Sequence, residues 1–345
     1  MGILDLTVAA GILRRGGVVA MPTETVYGLA ADAFNERAVA RVFEAKARPS
    51  FDPLIVHVCD EAMAERVAAE APPLARRLMA RFWPGPLTLV LPKRPEVPPL
   101  VTSGLETVAV RMPDHSLALS LIRESGCPLA APSANPFGYV SPTTAEHVRQ
   151  QLGDKIDGIV DGGACRVGVE STIVGFGRDG GLRLLRPGGV TVEDIEAVAG
   201  EKCWTLDVEC SMFDVPSASR DDGNIEHPTS NIQHRTIAPG MLPQHYAPRV
   251  PVRCVTSGWD GTLPEAWRGK RIGWLGLRRP SHGALFATVE CLSEEGDVRL
   301  AASRLFAAMR RLDAADLCGI VAELVPEAGL GLAINDRLRR AAGAL

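Results

Sequence analysis

The sequence predicts an α/β protein with two domains joined by a long polar segment. In the first part of the chain, short apolar strands alternate with amphipathic helices, which is the pattern of an α/β domain. Residues 205–240 then show little apolar periodicity, and the alternation returns after Pro248. A length of 345 residues agrees with two domains. We therefore predict a larger domain at 1–204, a linker at 205–248 and a smaller domain at 249–345.

The elements of the larger domain follow from apolar spacing and glycine stops. A helix is predicted at 3–15, because Leu4, Val8 and Ile12 lie on one face before the glycines at 16–17. A second helix is predicted at 38–47. Strands are predicted at 18–21, 54–58, 87–91 and 108–110, with antiparallel or mixed pairing left open.

A hairpin is predicted around the glycine-rich stretch 175–180. This stretch matches GxGxxG, but strand-like residues stand on both sides of it, whereas a dinucleotide site needs a helix after the glycines. A turn between two antiparallel strands, 171–174 and 182–185, fits better.

The smaller domain has its own strand and helix order. Strands are predicted at 271–277, 288–292 and 318–324. An amphipathic helix at 299–312 precedes the last of these strands, and a helix at 333–342 follows it. This order predicts a small α/β domain.

Composition excludes several classes of protein. The net charge of -4 gives no broad basic surface for sequence-independent nucleic-acid binding. No apolar run reaches the ~18 residues that span a bilayer, and the start of the chain does not resemble a signal peptide. The eight cysteines include no CxxC pair, which favours ordinary reduced thiols. We expect a cytoplasmic protein without a membrane partner.

The first candidate functional cluster follows the strand at 18–21. Thr23, Glu24, Thr25 and Tyr27 emerge together at a strand end, where α/β proteins place ligands. The alternative is a helix start capped by Thr23 or Thr25.

The second cluster contains Lys46, Arg48, Asp52 and His57. Two cations beside a strand are typical of a phosphate clamp, for which Arg offers two-pronged geometry. The alternatives are cations that stabilise a helix C-terminus, and a hydrogen-bonded core role for His57.

Two further clusters lie in loops. In the first, small residues allow a ligand to approach the backbone closely, and Ser133, Asn135 and Ser141 supply hydrogen-bond donors and acceptors. The alternative is that these residues simply form turns. Ser171 faces Arg186 across the predicted hairpin, and Arg186 is a second candidate for binding phosphate or carboxylate.

Taken together, these clusters resemble the Sua5/YrdC family. The resemblance rests on the ordered strings PTETVYGL, KxRP, PLIVHV, PSAN, EST and LRPG. The later strings PGM and HYAP, followed by an α/β domain, resemble the long Sua5 form. The resemblance covers nearly the whole chain. It implies a YrdC-like mixed, twisted sheet with helices, followed by a small Rossmann-like domain.

The resemblance also implies an activity. Such enzymes combine L-threonine, bicarbonate and ATP into threonylcarbamoyl-AMP and pyrophosphate, and a separate transferase moves the threonylcarbamoyl group to a tRNA adenosine. Mg²⁺ is expected to arrive with ATP, because the sequence shows no carboxylate cage for a protein-held metal. Direct tRNA binding is expected to be weak or absent.

Site residues are carried over position by position. The family's threonine-contacting positions fall on Thr25, His57, Arg111, Ala131 and Ser171. Its ATP-contacting positions fall on Arg48, Asp52, Thr107, Ser133, Ser141 and Arg186, with Asn135 as a neighbour and with Lys46 and Arg48 as the catalytic cations. His245 and Tyr246 are predicted to contact ATP from a linker that acts as a lid, and the alternative is a passive tether.

Asp52 departs from the family pattern, which usually has Asn there. Its carboxylate could recruit magnesium, pair with Arg48 or weaken ATP binding. Two other functions stay open: a carbamoyl-adenylate former that uses carbamoyl phosphate, and an RNA-binding module.

Overall fold

The structure is a computed structural model that describes residues 2–177, 180–205, 238–242 and 245–343. Its α-helices are α1 (Leu6–Arg14), α2 (Glu36–Lys46), α3 (Glu61–Glu65), α4 (Pro73–Phe82), α5 (Pro99–Thr102), α6 (Ser116–Ser125), α7 (Ala145–Leu152), α8 (Val192–Ala199), α9 (Val298–Asp313) and α10 (Gly331–Ala341). Its strands are β1 (Val19–Met21), β2 (Gly28–Asp32), β3 (Ile55–His57), β4 (Leu87–Pro92), β5 (Thr107–Arg111), β6 (Leu129–Ala130), β7 (Gly158–Ile159), β8 (Thr172–Phe176), β9 (Leu182–Arg186), β10 (Trp204–Thr205), β11 (Val252–Val255), β12 (Ile272–Gly276), β13 (Thr288–Cys291) and β14 (Gly319–Glu323).

Strands β1 to β10 form one mixed sheet in the order β10-β9-β8-β4-β5-β3-β6-β2-β1-β7. The sheet contains parallel pairs such as β3/β5 and β4/β8 and antiparallel pairs such as β4/β5 and β3/β6. The mixed α/β class predicted for this part of the chain is confirmed. The predicted hairpin is also confirmed, because β8 pairs antiparallel with β9, although residues 178–179 of its turn lie outside the described residues.

The second sheet contains β11 to β14 in the order β11-β14-β12-β13, and each described pair is parallel. Parallel strands need crossover connections, and α9 supplies the one between β13 and β14. Asp297 begins α9 by accepting hydrogen bonds from the backbone N–H groups of Arg299 and Leu300. The predicted α/β character of the smaller domain is therefore confirmed.

The predicted elements lie within a few residues of the observed ones. The predicted helix at 3–15 is α1, and the predicted helix at 299–312 is α9. One alternative was wrong: no helix begins at Thr23 or Thr25, because the chain turns there and enters β2 at Gly28. Strand β10 ends at Thr205, beside the predicted boundary, and residues 206–237 and 243–244 of the predicted linker lie outside the described residues.

The two sheets are joined by a packed interface. One apolar cluster contains Val140 and Val169 of the first part of the chain together with Phe306 and Leu305 of α9. Gly168 has a φ of +77°, and a Cβ atom built there would lie 2.4 Å from the Cα of Ser303. The backbones therefore approach closely at a position that only glycine can occupy without strain.

Polar contacts reinforce this interface. The guanidinium of Arg310 donates to the carbonyl oxygens of Val140 and Ser141, and the Tyr139 hydroxyl bonds to the Asp313 carboxylate. Arg249 pairs with the same carboxylate at 2.9 Å. Helix α9 is thereby fixed against the loop that leads into α7.

Two further findings concern the described residues. None of their helices combines the length and apolar character needed to cross a bilayer. Seven cysteines are free thiols, and Cys210 lies outside the described ranges.

Candidate active site

A pocket opens where several strands of the large sheet end. Strands β3, β5 and β9 deliver His57, Arg111 and Arg186 at their last residues, and Ser171 immediately precedes β8. Ten of the residues predicted from the sequence line it: Thr25, Arg48, His57, Arg111, Ala131, Ser133, Ser171, Arg186, His245 and Tyr246. Positions more than 200 residues apart in the sequence thus converge on one cavity.

Arg111 is held rigidly on one side of the pocket. Its Nε donates to the Gly85 carbonyl oxygen at 3.2 Å, and its Nη1 donates to the Thr25 hydroxyl at 3.0 Å. Its Nη2 lies 2.7 Å from a carboxylate oxygen of Glu24. We call Thr25, His57, Arg111 and Ala131 the Arg111 group. A fixed guanidinium beside a small hydroxyl suits a small ligand that carries a carboxylate.

His57 lies beside Arg111 and is nearly fully buried. Burial, and then the positive charge of Arg111, lower the pKa of the imidazole to about 3. His57 is therefore neutral at physiological pH, and its buried Nδ1 has no hydrogen-bond partner within the described residues.

Arg186, Ser171, Arg48, His245 and Tyr246 form the second cluster of the wall, which we call the Arg186 group. Arg186 donates from Nε and Nη2 to the Ser171 carbonyl oxygen at 3.2 and 2.9 Å, and from Nη1 to the Pro239 carbonyl oxygen at 3.0 Å. The Ser171 hydroxyl also bonds to the Thr88 hydroxyl at 2.7 Å. Burial lowers the pKa of Arg186, and its cationic character gives this cluster affinity for anions.

Arg48 forms a buried ion pair with Asp52. The distance from Nη2 to the Asp52 carboxylate is 2.9 Å, and the guanidinium also donates to the carbonyl oxygens of Asp52 and Pro53. Of the roles that the sequence left open for Asp52, pairing with Arg48 is the one seen here. The carboxylate neutralises part of the charge that Arg48 brings to the pocket.

Lys46 lies behind the wall rather than in it. Its Nζ donates to the backbone carbonyl oxygens of Ser133 and Asn135, and it is almost fully buried. Burial, and then the nearby charge of Arg48, lower the pKa of the Lys46 amine well below its usual range, although Asp52 opposes this. The geometry shows Lys46 supporting the loop that carries Ser133.

Residues 238–242 and 245–248, which we call the strap, close one side of the pocket. His245 makes an edge contact with the Phe137 ring at 5.8 Å, and Tyr246 stacks on Phe306 at 5.8 Å. Gly240 has a φ of +76°, and a Cβ there would lie 2.5 Å from the Tyr246 hydroxyl oxygen. The strap therefore depends on glycine where it passes Tyr246.

A helix of the smaller domain reaches this wall through Arg337, which sequence reasoning missed. The Arg337 side chain is 0% exposed, and its Nε pairs with the Glu170 carboxylate at 2.9 Å. Glu170 lines the pocket and accepts a hydrogen bond from the Ser141 hydroxyl at 2.5 Å. The Arg337 guanidinium also lies 5.1 Å from the Tyr246 ring centre. Burial raises the cost of this charge, but Glu170, Asp336 and Tyr246 raise the pKa of Arg337 above its usual value.

Five predicted residues do not line the pocket: Lys46, Asp52, Thr107, Asn135 and Ser141. Thr107 begins β5, at the opposite end of the strand from Arg111, and pairs with Pro92. Asn135 donates from Nδ2 to the carbonyl oxygens of Pro136 and Tyr139. The predicted site roles of these five residues stay predictions, since the structure shows the residues supporting the pocket wall or standing apart from it.

The described residues do not bring metal ligands together. They contain no group of three or more His, Cys, Asp or Glu side chains close enough to hold an ion. The one carboxylate in the pocket wall of the described chain, Glu170, is already paired with Arg337. The donor set does not fit a metal ion held by the protein itself, and it fits an anionic ligand.

Two family models match consecutive parts of the chain. Residues 11–188 match the family described as Telomere recombination, which covers Sua5, YciO and YrdC proteins. Residues 190–343 match the family described as Threonylcarbamoyl-AMP synthase, C-terminal domain.

Whole-length relatives agree with both matches. The chain is 44% identical to threonylcarbamoyl-AMP synthase of Bacillus subtilis, over 97% of this chain and 92% of that protein. It is 42% identical to the enzyme of that name from Pyrococcus abyssi, over 98% and 94%. A crystal structure of P. abyssi Sua5 complexed with L-threonine superposes with a TM-score of 0.82, at 42% identity, over 98% of this chain and 94% of that chain. The chain belongs to the Sua5/YrdC family, in the long form that carries a Sua5 C-terminal domain.

Proposed function

We propose that this chain is an L-threonylcarbamoyladenylate synthase, which forms threonylcarbamoyl-AMP and pyrophosphate from L-threonine, bicarbonate and ATP. The observation that supports this proposal most strongly is that one pocket holds buried arginines in two clusters, one built on Arg111 and one on Arg186. Two anion-binding clusters suit a reaction that joins a small amino acid to a nucleotide. Relatives of the same length that bear the threonylcarbamoyl-AMP synthase name support this proposal.

The Arg111 group is proposed to bind L-threonine. Arg111 would face the carboxylate, Thr25 and Ser171 would hydrogen-bond the polar groups of the substrate, and neutral His57 would accept or donate without adding charge. Ala131 leaves space for a small side chain. The P. abyssi protein, which was crystallised with L-threonine, supports the assignment of an amino-acid site to this fold.

Arg186, Arg48, His245 and Tyr246 of the Arg186 group are proposed to bind ATP, together with Ser133 from the neighbouring loop, whereas Ser171 faces the threonine. Arg48 and Arg186 would spread positive charge over the phosphates, where the transition state carries most of its charge. The remaining predicted ATP positions, Asp52, Thr107, Ser141 and Asn135, stay part of this proposal. Mg²⁺ is proposed to arrive bound to ATP, since the described residues do not form a site that fits it alone.

The reaction is proposed to proceed in two steps. The uncharged amine of threonine attacks carbon dioxide derived from bicarbonate, forming a C–N bond and leaving a carbamate after proton loss. A carbamate oxygen then attacks the α-phosphorus of ATP, so that a new P–O bond forms while the bond to the β-phosphate breaks. Pyrophosphate leaves. No protein nucleophile is required, and the protein contributes position and charge.

The strap is proposed to be part of a lid rather than a passive tether. His245 and Tyr246 line the pocket from it, and the Pro239 carbonyl oxygen accepts from Arg186, one of the proposed phosphate ligands. A lid would exclude water from the mixed anhydride, which water destroys. Replacing His245 and Tyr246 together by Ala should abolish adenylate formation in a protein that still folds. Full activity of that variant would leave the strap as a tether.

The product is proposed to serve the modification of tRNA by a separate threonylcarbamoyl transferase. A reactive acyl-adenylate needs an acceptor that takes up its acyl group. Direct binding of tRNA by this chain is expected to be weak. Filter binding of tRNA across a salt series measures it. Tight binding that fell steeply with salt would favour the RNA-binding alternative.

Pyrophosphate release tests the proposed activity. Purified protein should release pyrophosphate from ATP and Mg²⁺ only when L-threonine and bicarbonate are both present. Omission of either one should return the rate to background. Release that requires carbamoyl phosphate instead of bicarbonate would favour the carbamoyl-adenylate alternative.

A further inference from the structure

Glu24 lies directly behind Arg111, and the proposed reaction does not use it. The Glu24 side chain is 0% exposed and that of Arg111 is 4% exposed, and their charged atoms are 2.7 Å apart. Glu24 is not among the residues that line the pocket and stands behind Arg111. Within the described chain, neither of its carboxylate oxygens has a hydrogen bond of good geometry. Its main interaction is therefore the ion pair with Arg111.

The loop between β1 and β2 fixes Glu24 in this position. The Thr23 hydroxyl donates to the Val26 carbonyl oxygen at 2.6 Å and accepts from the backbone N–H groups of Thr25 and Val26. The backbone N–H of Val167 donates to the Glu24 carbonyl oxygen at 2.8 Å. Both sides of Glu24 are thus anchored, and its carboxylate has a defined place.

The ion pair determines what Arg111 has left for a ligand. A guanidinium has five N–H groups. Nε and Nη1 donate to Gly85 and Thr25, whereas Nη2 lies against Glu24 in an ion pair without a hydrogen bond of good geometry. One N–H on Nη1 and those on Nη2 are therefore left to hydrogen-bond a ligand. Because three nitrogens are held, the plane of the guanidinium is fixed before any ligand arrives.

We propose that Glu24 is a positioning residue, which holds Arg111 in the orientation that receives the carboxylate of the amino-acid substrate. This inference rests on the proposed function, because it assumes that Arg111 binds L-threonine. A buried arginine without a counter-ion is costly, and Glu24 supplies that counter-ion while the pocket is empty. Pre-organised receptors bind more tightly because less order is lost on binding.

An opposite effect of Glu24 is also physically reasonable. Its negative charge lies close to the place proposed for the substrate carboxylate and would repel it. Positioning predicts that loss of the Glu24 charge weakens threonine binding, whereas repulsion predicts that it strengthens threonine binding. The sign of the change therefore decides between them.

The test is a double-mutant cycle in the full chain with E24Q, R111M and E24Q/R111M. Steady-state pyrophosphate release gives KM for L-threonine, KM for ATP and kcat. We expect E24Q to raise KM for threonine about tenfold, in line with the loss of a charge-assisted contact, and to leave KM for ATP within about twofold. R111M should raise KM for threonine by at least as much. The double variant should be no worse than R111M, because the proposed effect of Glu24 on threonine binding passes through Arg111.

E44Q is the matched control, since Glu44 is exposed on α2 away from the pocket, and it should leave all three constants unchanged. E24D keeps the charge on a shorter side chain and should recover part of the loss seen in E24Q. It also supplies the test if E24Q does not fold, as judged by thermal unfolding.

Two results would overturn the proposal for Glu24. One is an unchanged or lower KM for threonine in E24Q, and the other is a double variant whose loss is the product of the two single losses. A wild-type protein that releases no pyrophosphate would instead reject the proposed function. A threonine-dependent wild type with an unaffected E24Q would reject the role of Glu24 alone.

Discussion

The two clusters of the pocket are built in different ways. The Arg111 group is formed within the large sheet, and its partners Thr25, Glu24 and Gly85 all come from the first part of the chain. The Arg186 group depends on the strap and on Arg337 of α10, which reaches Glu170 across the interface. One of the two proposed anion sites therefore belongs to a single domain, and the other is completed by the second domain. Changes in the smaller domain should affect nucleotide binding more than amino-acid binding.

The strongest test of this difference is Arg337→Met. The change leaves the Glu170 carboxylate buried without its cation, and breaking a buried pair costs about 3–5 kcal/mol. We expect a large fall in thermal stability and a higher KM for ATP, with KM for threonine nearly unchanged. The double variant E170Q/R337M removes both charges and should recover much of the stability. Equal increases in both KM values would contradict the division between the two groups.

Asp52→Asn tests the charge balance of the Arg186 group. The change removes the carboxylate paired with Arg48 but keeps its shape, and it should lower the free energy of unfolding by about 1.5–3 kcal/mol. The more positive pocket should bind ATP more tightly, so ATP should raise the melting temperature of the variant more than that of the wild type. Thermal unfolding with and without ATP measures both effects. Weaker ATP binding would show that Asp52 is needed to orient Arg48.

Gly240→Ala tests the strap alone. A left-handed backbone costs a non-glycine residue about 1–2 kcal/mol, and the new Cβ would collide with the Tyr246 hydroxyl. We expect a higher KM for ATP and little change in KM for threonine. Gly126→Ala is the matched control, because Gly126 has a similar φ of +72° at the end of α6 but has open space around it. Equal KM values for ATP in the two variants would show that contact with Tyr246 has no part in nucleotide binding.

The pH dependence of stability tests the Arg111 group. His57 has a pKa of about 3 in the folded protein and near 6.5 when unfolded, so the unfolded state takes up the proton first as pH falls. The contribution of His57 to the free energy of unfolding is complete above its unfolded pKa of about 6.5. It falls by up to about 1.4 kcal/mol per pH unit between pH 6.5 and 3. In His57→Gln the slope of the unfolding free energy against pH should be smaller by up to about 1.4 kcal/mol per pH unit, which corresponds to one proton taken up on unfolding. Denaturant unfolding at several pH values measures it, and identical slopes would show that His57 is not buried in its neutral form.

The Arg111 group could be predicted from sequence largely because its residues follow recognisable strands. His57 ends a run of apolar residues, and Thr25 belongs to a polar cluster just after β1. Strand β2 was missed, because its sequence GLAAD has no β-branched residue, and its pairing with β1 and β6 specifies it instead. Helix α4 was missed although Pro73 stands at its first position, which is a usual helix start.

Arg337 could not be predicted by the same reasoning. It lies on an amphipathic helix among other arginines, where a solvated cation is the ordinary expectation. Its partner Glu170 is 167 residues away, and no local pattern links them. The resemblance to the family supplied substrate-contacting positions, whereas residues that act through a neighbour, such as Glu24 and Arg337, became visible only through contacts and burial.

Because Gly168 has no Cβ, the two domains are in direct backbone contact there, and a displacement of one can shift the other. Where two backbones touch, neither a water layer nor a side chain can fit between them, so this junction has the rigidity of a protein interior. Rigid junctions transmit displacement instead of absorbing it. A single methyl group at this position would act as a wedge that tilts α9 and, through the rest of the smaller domain, shifts Arg337 away from Glu170. The proposed nucleotide site can thus be disturbed from a position that does not belong to it, by geometry alone.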